Sequence, residues 1–338
     1  MRGRRDAPPL EHRRNRLRFG SLSEYTTGSP AAGGEREGRF VKRLVYTAIF
    51  GVVVGASALW LVGAALSAPV NVPVGAPPPD LRATVVHFPS DSQATIAAWY
   101  GAPPPGGPTV VLSHGVRGSR KQLSERAQFI RDAGYGVLLY DAQGHGESIG
   151  SNITFGFLEA HDAEAAVKFV RDRNPNSRVG FIGPSLGGAS ALLGERPLPV
   201  EALVLEAVYP TLKEAVVNRI SIRLGSFLAP ILSDLLLWQL EPRLGFDPFK
   251  LNPIDRIGRV TAPILLIAGS EDRHTPLEES RALFQAAAHP KDLWVVNGAA
   301  HQSFHRFAGP EYERRLLEFF HKHLGATADQ HGHEADAE

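Results

Sequence analysis

The chain has 338 residues, room for one domain of about 250 residues with extensions or at most for two ordinary domains. Hydrophobic residues make up 43% and charged residues 21%, which sustains a buried core without covalent or metal staples. The absence of cysteine excludes a disulfide framework, a thiol nucleophile and any Cys-ligated metal centre. Formal net charge is only +1, but residues up to Arg43 hold 11 basic against 5 acidic side chains, leaving 25 against 30 in the remainder. The basic charge is therefore local.

Residues 1–43 mix Arg with Gly, Ser, Pro and Glu, show no apolar periodicity through residue 38, and are expected to form a disordered basic tail. Leu44 to Ala68 is uncharged and apolar on all faces around Ile49, Val52, Val53, Leu59 and Trp60. Its length of about 25 residues predicts a transmembrane signal-anchor helix over residues 44–68. Arg39, Lys42 and Arg43 abut its N-terminal end, with Arg13, Arg14, Arg16 and Arg18 further upstream, so the positive-inside rule leaves the N-terminus cytoplasmic and the rest of the chain across the membrane. A signal peptide cleaved at Ala65-Leu66-Ser67 is the rival reading; its apolar region would normally span about 7 to 15 residues. Residues 69–80 include Ala76-Pro77-Pro78-Pro79 and read as a semi-extended tether. Residues 325–338 are polar and acidic with His331 and His333, the composition of a frayed tail rather than a metal site.

Residues 81–324 alternate short β-branched runs with longer amphipathic segments, the pattern of a mostly parallel sheet covered by helices on both faces. Strands are expected near Ala83-His87, Ala94-Tyr100, Thr109-Ser113, Gly136-Tyr140, Arg178-Ile182, Ala202-Leu205, Ile264-Ile267 and Leu293-Val296. Helices are expected around Leu123-Asp132, Phe157-Arg171, Leu186-Leu193, Pro276-Ala287 and Glu311-Leu324. Residues 208–257 break the alternation. An insertion of roughly 50 residues is too long for an ordinary connection and, being rich in Leu, Ile and Phe, reads as a helical cap over the C-terminal edge of the sheet. Its residues Leu224, Phe227, Leu228, Ile231, Leu235, Leu236, Leu237 and Trp238 offer an apolar ceiling for a substrate. The same residues would also serve to pack the insertion onto the sheet, or to dip into a bilayer, although Arg219, Arg223 and Arg243 interrupt them.

The strongest local signal is Gly183-Pro184-Ser185-Leu186-Gly187, directly after the apolar run Val179-Ile182 and before a segment that starts a helix. A serine on such a turn has its Oγ pushed outward on a strained backbone, and glycines flank it because a Cβ would clash where strand and helix pack closely. Ser113-His114-Gly115-Val116 follows another apolar run, where backbone N–H groups meet a developing oxyanion. The amides of Val116 and Leu186 are the candidates. His114 reads as a brace for its loop, and so does His145 in Asp141-Ala142-Gln143-Gly144-His145-Gly146. Asp272, in Gly269-Ser270-Glu271-Asp272, brings a carboxylate to the C-terminal edge of the sheet, with Glu271 and Glu206 as rivals. His301 follows the last strand, with His305 the weaker choice. The chain order Ser185, Asp272, His301 differs from that of chymotrypsin-like and subtilisin-like triads.

Together these motifs resemble the α/β-hydrolase superfamily, and within it the membrane-anchored bacterial branch of serine aminopeptidase-like hydrolases. The resemblance covers about Leu81 to Leu324. It implies an eight-stranded α/β-hydrolase fold with a nucleophile elbow at Ser185, a triad with Asp272 and His301, and no cofactor or metal. Ser185 as nucleophile, His301 as general base and Asp272 as its orienting acid make an ester-cleaving serine hydrolase the expected activity, acting on a small acyl substrate that includes lipid-like esters. The word aminopeptidase carries no substrate, since no acidic pair is assignable to a substrate ammonium group. An acyltransferase with the same triad and an inactive membrane-bound binding protein are the alternatives. Nucleic acid is not an expected partner, because the one basic cluster lacks interleaved aromatics.

Overall fold

The computed structural model describes the backbone of residues 31–325 and the side chains of residues 38–325. The tails expected at residues 1–30 and 326–338 lie outside the described residues. The described residues divide into two units within the first helix, between Gly55 and Ala56. That helix, α1 (Ala31–Ser67), starts well ahead of Leu44 and takes in Arg39, Lys42 and Arg43, where the composition alone leads one to expect a disordered tail. Ala, Glu, Arg and Lys are good helix formers, and lengthening an existing helix needs no new nucleus. Its segment Gly38–Ser67 has a mean hydropathy of 2.2 and is long and apolar enough to cross a membrane.

Residues 69–80 are not a free tether. Strand β1 (Val70–Asn71) pairs in parallel with β6 (His145–Gly146). Beyond it the amides of Val74 and Gly75 both donate to Glu147 Oε1 at 2.9 Å. Proline removes donors only at its own positions, and the intervening Val70, Asn71, Val74 and Gly75 keep theirs. Arg120 holds this junction from inside. Its fully buried guanidinium is paired with Asp141 and Glu147 and lies 5.1 Å from the centre of the Trp99 ring.

The body is an eight-stranded sheet built from β2 (Thr84–Pro89), β3 (Thr95–Gly101), β4 (Thr109–Leu112), β5 (Gly136–Tyr140), β7 (Val179–Pro184), β8 (Ala202–Glu206), β9 (Ile264–Gly269) and β10 (Lys291–Val296). Their spatial order is β10-β9-β8-β7-β4-β5-β3-β2. Only the β2–β3 and β3–β5 pairs are antiparallel. Each of the eight expected strands is present, and the central ones are buried along their length: β4, β5, β8 and β9 expose no residue. This is the continuous apolar reading of a strand covered on both faces. One face packs on α3 (Glu159–Arg173) and α4 (Leu186–Leu193), where Val111, Leu138, Phe181, Leu203 and Leu205 meet Ala163, Val167 and Ala189. The other packs on α2 (Ser124–Asp132) and α11 (Pro310–Leu324), where Val110, Leu112, Ile182 and Val204 meet Ala127, Ile130, Leu316 and Phe320.

The insertion is helical as expected, with α5 (Leu212–Leu224), α6 (Ala229–Trp238), α7 (Leu240–Leu244) and α8 (Ile254–Ile257), and α9 (Leu277–Ala286) and α10 (Phe304–Ala308) follow it before α11. It has its own small core of Leu212, Leu237, Leu240, Phe246 and Leu251. Helix α6 buries Ala229, Ser233 and Leu237, a spacing of four that marks one helical face. The opposite face points outward.

Truncating Arg120 leaves Asp141 buried with a charge that burial already disfavours. Arg120→Ala should therefore cost about 3–5 kcal/mol of unfolding free energy, read as a lower urea midpoint with an unchanged slope.

Candidate active site

The turn between β7 and α4 sets the site. Ser185 adopts φ 49° and ψ −114°, a backbone region that non-glycine residues avoid and that strand-to-helix elbows exploit. The turn closes only because its neighbours lack side chains. A Cβ on Gly183 would sit 2.4 Å from the amide nitrogen of Gly188, and one on Gly187 would sit 2.8 Å from the carbonyl oxygen of His114. The elbow is tied to the next strand by the Ser185 amide, which donates to the Glu206 carbonyl at 2.8 Å. Ser185 itself is 7% exposed.

Asp272 stands after β9, as its position in the sequence implies. Its Oδ1 accepts from the amides of His274 (2.8 Å) and Thr275 (2.9 Å), and its Oδ2 accepts from Nδ1 of His301 at 2.8 Å. Burial pushes this carboxyl up, but the His301 hydrogen bond and charge and the two amides outweigh it, holding the group below the usual carboxylate range. Because Nδ1 of His301 is the donor to Asp272, Nε2 is the nitrogen free to act elsewhere.

Ser185, His301 and Val116 line one cavity of about 410 Å³, together with His114, Gly115, Arg126, Glu206, Arg219 and His274. Leu186 is the first residue of α4, so its amide is one of the helix donors without an intrahelical acceptor. Val116 lines the same cavity as Ser185, and Leu186 follows Ser185 directly in the chain.

The rival residues have partners of their own. Glu206 receives the Tyr312 hydroxyl and pairs with Arg126 at 3.0 Å. Glu271 is exposed. His305 contacts Glu313 at 2.7 Å. His114 and His145 brace loops: His114 Nε2 accepts from Ala142 N at 3.1 Å, and His145 Nε2 accepts from Arg117 N at 3.1 Å. Burial, with the neighbouring His145, drives the His114 pKa down to about 3, so the ring stays neutral and can accept.

The apolar ceiling is a correction. None of the eight cap residues expected to roof the site lines the cavity. Leu224, Phe227, Leu228, Ile231, Leu235 and Trp238 are exposed instead, because α6 turns its Ala229-Ser233-Leu237 face inward. What the cap contributes is Arg219, whose Nη1 donates to the Ala215 carbonyl at 2.7 Å. Burial lowers its pKa. In the sequence Arg219 interrupts an apolar run, and nothing in that pattern places it at the cavity. Arg126 is likewise invisible from sequence, since a buried arginine on α2 carries no motif. No cluster of three or more metal-ligating side chains occurs among the described residues.

A family model described as serine aminopeptidase, S33 (Hydrolase_4), matches residues 106–248. An uncharacterized protein of Mycobacterium tuberculosis is 32% identical over 238 residues, 69% of this chain and 76% of that protein. Lysophosphatidylserine lipase ABHD12 of Gallus gallus is 26% identical over 253 residues, 67% of this chain and 60% of its own length. Among solved structures, the Pyrococcus furiosus esterase Pf2001 superposes with a TM-score of 0.62 at 26% identity, covering 77% of this chain and 99% of that one. The chain belongs to the α/β-hydrolase superfamily.

The depressed pKa of Asp272 has a consequence for stability. A carboxylate held below its unfolded value adds stability that is complete above the unfolded pKa and is lost as the pH falls through the folded one. The melting temperature of Asp272→Asn should therefore fall less than that of the unaltered chain between neutral pH and pH ~3, as followed by circular dichroism.

Proposed function

We propose that this chain is a membrane-anchored serine hydrolase that cleaves carboxylic esters, with Ser185 as nucleophile, His301 as general base and Asp272 as the orienting acid. The reading is carried by the 2.8 Å bond from His301 Nδ1 to Asp272 in a chain whose Ser185, on a strained elbow, shares a cavity with His301. It is supported by the esterase and lipase among its relatives.

In this mechanism His301 Nε2 takes the Ser185 hydroxyl proton as Oγ attacks the acyl carbon. Charge moves onto the carbonyl oxygen, where the Val116 and Leu186 amides meet it. The tetrahedral intermediate collapses, the alkoxide leaves with the proton from His301, and an acyl-Ser185 ester remains. Water then repeats the sequence and releases the acid. Asp272 holds Nδ1 protonated and stabilises the imidazolium without itself taking the proton. Arg126 at the cavity is neutralised by Glu206, which leaves Arg219 from the cap as the cation in the lining and suits an ester with a polar or anionic group beside its acyl chain.

For location, the apolar segment Gly38–Ser67 preceded by Arg13, Arg14, Arg16 and Arg18 supports a single span with the N-terminus cytoplasmic and the hydrolase body across the membrane. Protease added to intact cells should then cut the body as readily as a surface control, and an untouched body would reverse this topology.

Full-length protein should react with a fluorophosphonate probe at one site, and intact mass should show no adduct on Ser185→Ala or His301→Ala. Ser185→Ala should lose p-nitrophenyl ester hydrolysis by several orders of magnitude with its melting temperature nearly unchanged. Asp272→Asn should lose about 10⁴-fold in kcat. Labelling of a folded Ser185→Ala protein would overturn the assignment.

A further inference from the structure

The cap carries an apolar stripe that no other element covers among the described residues. Ile231 (61% exposed), Leu235 and Trp238 (66%) lie at intervals of four and three on one face of α6, and Leu224 (66%) at the end of α5, with Phe227 (90%) and Leu228 in the turn between the two helices, extends it. The only charged residue between Leu224 and Trp238 is Asp234, which is paired with Lys213 at 2.7 Å. A patch of this kind on a soluble surface marks an interaction site.

The ends of the stripe identify its occupant. Trp238 is followed by Gln239, whose Nε2 donates to the carbonyl of Leu59 at 3.1 Å. Arg243 Nη2 donates to the carbonyl of Trp60 at 2.7 Å, and its guanidinium lies 4.2 Å from the centre of the Trp60 ring. Gly63 makes the approach close, because a Cβ there would fall 2.2 Å from Gln239 Oε1. These contacts are made with the last turns of α1. About 20 residues cross a hydrocarbon core, and counted from Leu44 they end near Gly63, so Leu59, Trp60 and Gly63 mark the level at which the span leaves the lipid. Trp60 and Arg243 are residue types that settle there, one an interfacial aromatic and the other a cation with an apolar stem.

We propose that the Leu224–Trp238 face of the cap is a membrane-docking surface, seated in the outer headgroup and acyl boundary of the same bilayer that α1 spans. The proposal rests on the anchor reading above. Ile231 and Trp238 enter the lipid as the apolar side of α6, and Phe227 enters from the turn before it, roughly 5–10 Å deep. The cap is then fixed at the lipid surface at two places, by α1 and by α6, and an ester leaving the bilayer meets the hydrolase at its cap.

The chain has no cysteine, so single labels can be placed without background. Phe227→Cys, Ile231→Cys and, as a control on α11, Lys322→Cys are made in the full-length chain, labelled with the fluorophore NBD and reconstituted in phosphatidylcholine–phosphatidylglycerol vesicles. Spin-labelled lipid carrying a shallow doxyl group should remove roughly half of the emission at positions 227 and 231 and leave position 322 unchanged, whereas aqueous iodide should quench position 322 alone. If positions 227 and 231 are quenched by iodide and not by lipid while the protein floats with the vesicles, the docking surface is overturned and the anchor stands. Protection from both quenchers would assign the stripe to a protein contact and equally overturn it. Failure of the chain to float with vesicles would overturn the anchor and the docking surface together.

Discussion

Everything at the site depends on how closely one strand and one helix approach at Ser185. The 2.4 Å that would separate a Cβ on Gly183 from the Gly188 nitrogen leaves no room for any other residue there. This approach forces the φ of 49° on Ser185 and lifts its side chain toward the cavity. The strain is offset by the order around it: β7 is flanked by β4 and β8 in parallel register, and the residues of α4 up to Leu192 are buried. A strained residue persists only where its surroundings over-determine it, and a central strand covered on both faces does so.

The loops that complete the site are held by polar groups rather than by packing. His114 and His145, with rings 4.9 Å apart, each accept a backbone amide on one nitrogen and donate to a carbonyl on the other. Asp141 accepts from the amides of Arg120 and Glu147 as well as from the Arg120 side chain. Buried polar groups are costly unless satisfied, and here each satisfied group fixes a turn that positions Val116. The Arg120 pair with Glu147 extends the same network to Val74 and Gly75, so the segment arriving from α1 and the loop beside Ser185 are one hydrogen-bonded structure.

Much of this was legible in the residues because it repeats with a period or sits at a fixed offset. The run Ile264-Leu265-Leu266-Ile267 reads as a buried parallel strand, and a carboxylate following it falls at the sheet's C-terminal edge. Ser185 and Asp272 are recognisable for the same reason. The cap was legible only as a helical insertion. Whether Leu235 or Leu237 faces inward depends on a rotation set by contacts distant in sequence, and α6 buries Leu237 while exposing Leu235. Arg219 and Arg126 were hidden on the same account, since what places them at the cavity is tertiary packing. Residues 69–80 differ for another reason: hydrogen bonds from Val70, Asn71, Val72, Val74 and Gly75, set among the prolines, suffice to dock a segment whose composition reads as a tether.

The junction at Ser67 also bears on when the chain's fate is decided. Ser67 is fully buried, its hydroxyl donates to the Gly63 carbonyl at 2.9 Å, and its own carbonyl receives the Ile153 amide at 2.7 Å. A peptidase needs an extended, accessible strand of substrate, and in the folded chain Ala65-Leu66-Ser67 is helical, with Ala65 and Leu66 exposed but Ser67 buried. Cutting the folded chain at this point would require the last turn of α1 to unwind and the Ser67–Ile153 hydrogen bond to break, whereas a chain not yet folded offers the same residues extended, so the protection of this junction is acquired only as the body folds around Ser67.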